Sequence, residues 1–223
     1  MPDLAWSFLR GSATRIVRRN LDLTIEGLEH VPRTGPAILA ARHVHHLYDG
    51  CAVLATVPRP VHIVVALDWV GNRAGRLAMD RLCAAARWPV VLRQDGPRTV
   101  APGEAARAWR AAMAEVLALL GEGRIVLVFP EGYPNIDPAY TPKSGEDAWL
   151  PFQPGVARLA SMASSGGAPI PVIPVGFHYQ QGHEWDVTMR FGPPLTIPDR
   201  ACEQAVLLGL EARVRALSAP PAP

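Results

Sequence analysis

The stretch Ala37-Ile38-Leu39-Ala40-Ala41-Arg42-His43-Val44-His45-His46-Leu47-Tyr48-Asp49-Gly50 decides the fold. Five apolar residues run without alternation, and polarity then arrives abruptly. A strand that is apolar on both sides belongs in the middle of a parallel sheet covered by helices. Its carboxyl end, where the polar residues gather, is where such sheets bind their ligands.

Working outward, similar apolar runs occur at residues 61–67, 89–92, 125–129 and 171–177, with helical periodicity between them at 73–86, 104–120 and 156–164. Parallel strands need crossovers, so this alternation predicts an α/β domain with a mostly parallel central sheet flanked by helices. Residues 21–25 alternate as a strand with one buried face, 185–191 read as a closing hairpin-like strand, and 201–217 as a last helix. Leu4, Phe8, Leu9, Ile16 and Val17 recur at helical spacing among Arg10, Arg15, Arg18 and Arg19, which describes a basic amphipathic helix. The expected organisation is that helix at 1–19, one domain at 20–218 and a frayed Pro-rich tail at 219–223.

The chain has 223 residues, 49% of them hydrophobic, enough for one domain to bury its own core. A formal charge of +2 without a long Lys/Arg run disfavours nucleic acid as a partner. Arginine is abundant and Lys143 is the sole lysine. Cys51, Cys83 and Cys202 are odd in number and set in apolar helical patterns, so buried, reduced thiols are expected. No segment has the roughly 18 uninterrupted apolar residues of a spanning helix, and no signal peptide is evident, which predicts a protein neither secreted nor transmembrane.

Two further polar clusters close apolar strands: Arg93-Gln94-Asp95 and Phe129-Pro130-Glu131-Gly132. Three strand ends can converge on one crevice. The first offers an imidazole and a carboxylate, the pair that takes a proton from a hydroxyl near neutral pH. No Gly-x-Ser-x-Gly elbow accompanies it, so the activated hydroxyl belongs to the substrate and acyl transfer is the natural reaction class. Arg93 is a candidate contact for phosphate or carboxylate.

These residues resemble the glycerolipid (1-acylglycerol-3-phosphate or lysophospholipid) acyltransferase family, whose first motif is H-x-x-x-x-D and whose third is F-P-E-G. The third is intact at Phe129, Pro130, Glu131 and Gly132. The family's opening looks like residues 26–43, and its last apolar-Pro-Val motif resembles Val172-Ile173-Pro174-Val175-Gly176, so the likeness runs from residue 21 to 198. It implies His43 as base and Asp49 as its orienting carboxylate, Glu131 and Gly132 on the substrate side, and Pro174 shaping the strand and the acyl pocket. It also implies an acyl-CoA or acyl-carrier protein donor with no cofactor and no metal, a lysolipid acceptor, and work at a membrane surface, peripheral or monotopic on the cytoplasmic face.

Two departures matter. The first motif has one extra residue between His43 and Asp49, which makes His45 and His46 rivals for the role of base. The third is followed by Tyr133-Pro134-Asn135-Ile136-Asp137, where the family continues with Thr/Ser and Arg, so a phosphate-reading arginine is missing from that loop. Two other readings stay open. His43, His45, His46 and Asp49 are ligand types for a metal-dependent hydrolase. The basic helix also fits a lipid-binding module without chemistry.

Overall fold

The computed structural model describes residues 4–67, 70, 72–93, 103–138, 140–145, 147–164, 168–197 and 202–220. In chain order the elements are α1 (Leu4–Asn20), β1 (Leu21–Glu26), β2 (Ala37–Ala41), α2 (Tyr48–Thr56), β3 (Val61–Ile63), β4 (Val65–Ala66) and α3 (Arg73–Ala86). Then come β5 (Val90–Val91), α4 (Glu104–Gly121), β6 (Ile125–Val128), α5 (Gly155–Ser164), β7 (Val172–Gln181), β8 (Trp185–Phe191) and α6 (Glu203–Leu217).

Six strands form one sheet in the order β1-β8-β7-β2-β6-β3, parallel at every seam except the β7–β8 hairpin. All five residues of β2 are buried, as its unbroken apolar run requires. Alternate side chains serve two cores. Ala37, Leu39 and Ala41 join residues of α1 and α2 on one face, while Ile38 and Ala40 join residues of α4, α5 and α6 on the other.

The run 61–67 is not one strand. It divides at Val64, whose N–H still donates to the Leu127 carbonyl at 2.9 Å, and β4 then pairs with β5 in a separate two-stranded sheet. The chain changes neighbours there: the next amide, that of Val65, donates to the Pro89 carbonyl at 3.0 Å. At the other side β7 runs four residues beyond the expected end, because its pairing with β8 continues to Gln181 opposite Trp185. Cys51 and Cys83 are buried as expected, whereas Cys202 is partly exposed.

The last turn of α6 lies directly on β7 at Gly176, where an added Cβ would fall inside contact distance of the Leu217 backbone. Gly176→Ala is therefore expected to lower unfolding free energy by about 1–3 kcal/mol, because the helix end must lift to admit one methyl group. Urea unfolding of the purified variant measures this; an unshifted midpoint would show that the helix end yields freely.

Candidate active site

Side-chain alternation along β2 carries past its end. Arg42 continues toward the helix α6 side, where its guanidinium lies 4.2 Å from the Trp149 ring centroid and donates to the Phe177 carbonyl at 3.2 Å. His43 continues toward α2. Asp49 occupies the first turn of α2, where the amino-terminal end of a helix favours negative charge.

Asp49 is completely buried. Its Oδ2 accepts from His43 Nδ1 at 3.0 Å, from the Val44 N–H at 2.7 Å and from the His45 N–H at 3.0 Å. Its Oδ1 accepts from the Tyr179 hydroxyl at 2.7 Å. Four donors offset the large cost of removing a carboxylate from water. The carboxylate can only accept, so His43 carries its proton on Nδ1 and presents the lone pair of Nε2. Nε2 has no hydrogen-bond partner among the described residues, and the side chain keeps 14% of its surface exposed. The Phe129 ring stacks on the imidazole with centroids 4.0 Å apart and fixes its plane.

The extra residue is absorbed in the turn. His45 folds its ring back so that Nδ1 accepts the N–H groups of Leu47 and Tyr48 at 3.2 and 3.3 Å, serving the open end of α2. It stacks between Tyr48 and His46, with centroids 3.9 and 4.6 Å away. Burial, followed by the charge of His46, pushes its pKa down to about 4. His46 is exposed and its Nδ1 donates to the Ile136 carbonyl at 3.3 Å. Of the three histidines His43 alone meets Asp49 through its side chain. No group of three or more His, Cys, Asp or Glu among those residues is arranged to hold a metal, since His45 is turned onto the backbone.

The Phe129-Pro130-Glu131-Gly132 turn lies beside this pair. The resemblance puts Glu131 on the substrate side; the structure turns both its oxygens inward. Oε1 accepts the His43 N–H at 3.0 Å, and Oε2 accepts the Leu150 N–H at 3.2 Å and Lys143 Nζ at 2.7 Å. Pro130 is buried, and its carbonyl accepts the Gln153 N–H at 2.9 Å. Gly132 has φ +77° and open space where a Cβ would stand, so the tight turn needs glycine for its backbone alone. Arg93 comes to the same loop, donating to the Gly132 carbonyl at 3.1 Å with its guanidinium 4.1 Å from the Tyr133 ring centroid. Gln94 and Asp95 lie outside the described residues. Pro174 does not join them. It pairs in register with Ala40 on the α6 face, against Gly192, and so sits across the sheet from His43.

Two residues of the site escape a reading by motif. Tyr179 follows Ile173, Val175 and Phe177 at strand period, and that alternation is the one signal of which face it shares. Lys143 stands out only as the lone lysine.

A family model for acyltransferases matches residues 22–178, well over half of the chain. The chain belongs to the acyltransferase family. Its fold is similar to the crystal structure of the 1-acyl-sn-glycerophosphate (LPA) acyltransferase PlsC from Thermotoga maritima, with TM-score 0.64 and 19% identity over 98% of this chain and 81% of that one. The mixed α/β domain expected from the strand pattern, and the acyltransferase-like fold implied by the resemblance, are thus borne out. No curated protein sequence matches it significantly.

The acyltransferase pays for its turn in acid sensitivity. Folded His45 binds a proton less readily than in the unfolded chain, with pKa lowered from 6.5 to about 4, so acid favours the unfolded state. The stability it contributes is complete above pH 6.5 and drains as pH falls through that interval to about 4. Unfolding free energies measured across it should fall with acidification, and the fall should flatten in His45→Asn. An identical slope in the variant would remove His45 as the cause.

Proposed function

We propose that the protein transfers a fatty acyl group from a thioester, acyl-CoA or an acyl-carrier protein, to a hydroxyl of a lysophospholipid-like acceptor. The observation that carries this reading is the buried Asp49 holding His43 Nδ1–H at 3.0 Å, which leaves Nε2 as the acceptor of a proton. Nε2 takes the proton of the acceptor hydroxyl, and that oxygen attacks the thioester carbonyl. The tetrahedral intermediate collapses, the C–S bond breaks, and the departing sulfur takes the proton back from His43. Asp49 stabilises the imidazolium while it exists. Phe129 keeps the ring from rotating out of line.

The acceptor need not be lysophosphatidate. The loop after Gly132 lacks the family's arginine, and Lys143 is fully committed to protein partners. Arg93, held at Gly132, is then the cation for a phosphate or other anionic group on the acceptor. Both substrate and product are amphiphiles, which supports work at the cytoplasmic face of a membrane. On α1 the exposed Leu4 and Phe8 continue into exposed Arg15, Arg18 and Arg19, and the helix seats its Ala13 and Val17 side in the core. That stripe suits an anionic lipid surface. No helix among the described residues is long and apolar enough to cross a membrane.

His43→Ala and Asp49→Asn should each lower turnover by about two to four orders of magnitude in folded protein, as loss of a general base does. His46→Ala should be much milder. Initial rates with acyl-CoA and a lysolipid decide the matter; a folded, active His43→Ala variant would sink the assignment of the base. Arg93→Ala should raise the Michaelis constant for a phosphorylated acceptor far more than for a neutral long-chain alcohol, and equal changes for both would deny Arg93 its anion. Lastly, removal of residues 1–19 should abolish sedimentation with anionic liposomes, whereas unaltered binding would make α1 a purely structural helix.

A further inference from the structure

We infer that Lys143, which no motif marks, is a positioning residue for the His43 base: together with Glu131 it grips the main chain of His43 at both its N–H and its C=O. The inference rests on the reading of His43 as base and adds to it the device that holds the histidine in place.

Lys143 Nζ has three hydrogens and three acceptors. They are Glu131 Oε2 at 2.7 Å, the His43 carbonyl at 2.9 Å and Asn135 Oδ1 at 2.9 Å. Neither the Lys143 nor the Glu131 side chain has any exposed surface. The other Glu131 oxygen accepts the His43 N–H at 3.0 Å. Residue 43 is therefore held on both sides by one ion pair, with Asp49 and Phe129 acting on its ring. Asn135 ties the cation to the loop by donating to the carbonyls of Gly145 and Ala148 at 2.9 and 2.8 Å.

The choice of residue follows from the geometry. In a chain that otherwise uses arginine throughout, three acceptors converge here on one atom. A compact ammonium with rotatable donors meets that arrangement, and a planar guanidinium fork does not. A buried ion pair is a poor source of net stability compared with apolar packing of like volume. Its retention at this point is accounted for by what it orients. Misplacement of a reacting group by about 1 Å can cost on the order of a hundredfold in rate.

The test separates orientation from stability by comparing Lys143→Met, Glu131→Gln and the double variant. Each single change leaves a buried charge alone and should destabilise the protein. The double change leaves none, and its urea midpoint should return most of the way to that of the parent. Turnover should not return with it: kcat of the double variant should stay about 10- to 100-fold low, with the Michaelis constant for acyl-CoA little altered. Hydrogen exchange at the His43 amide in Lys143→Met should accelerate by about tenfold or more relative to the amides of β2. Recovery of kcat alongside stability, or unchanged exchange at His43, overturns the inference while leaving the base assignment intact. Turnover by folded His43→Ala overturns the base assignment itself, and the inference with it.

Discussion

Everything at this site is arranged around a carboxylate that has been taken wholly out of water. Asp49 accepts from the His43 ring, from two successive amides of the turn that follows, and from Tyr179 on a strand far along the chain. A buried carboxylate without such donors would be unaffordable for a domain of marginal stability. The requirement couples elements distant in sequence. β7 must extend to Tyr179, and that extension exists because the hairpin with β8 prolongs it. The turn must present Val44 and His45 amides together, which it does while the Ile136 N–H donates to the Val44 carbonyl at 2.8 Å.

The Glu131 carboxylate extends the same arrangement by one residue. Amides of His43, Val44 and His45 are consecutive in the chain, and all three point at carboxylate oxygens, the first at Glu131 and the next two at Asp49. Successive backbone N–H groups of this kind form a concavity that attracts anions. Here the protein fills it with its own side chains. This explains how the turn accommodates one residue more than the family's spacing between His43 and Asp49: Asp49 binds the turn by its amides as well as by the imidazole, so the turn is shaped around the carboxylate.

Much of this was legible in advance, and what was not has physical causes. β2, α3 and β8 have the bounds that their periodicity implies, since a buried apolar run or a helical stripe ends where polarity begins. Phe129 and Glu131 are visible as a motif, yet a motif says which residues meet and not which way an oxygen faces. Glu131 faces the protein. The division of residues 61–67 was hidden because apolarity continues through Val64; what changes there is the partner strand, which apolarity does not mark. Pro174 carries a motif but lies on the opposite face, because β7 alternates and the even positions look toward α6.

Tyr179 and Lys143 show a different limit. Neither lies near His43 in sequence, and neither belongs to a pattern of spacing that chemistry demands. Both are found by asking which donors remain once two carboxylates are buried side by side. Burial of Lys143 lowers its pKa, and the adjacent Glu131 charge works against that shift, favouring the ammonium form. Tyr179 meets the same need without charge, its pKa raised chiefly by burial and then by Asp49, which keeps the hydroxyl a donor. One carboxylate is thus balanced by an ammonium on the backbone side of His43, and the other by neutral donors on the ring side. In the proposed mechanism that division has a chemical sense: a fixed cation beside Asp49 would oppose formation of the imidazolium, whereas behind the main chain it can hold the histidine from a greater distance.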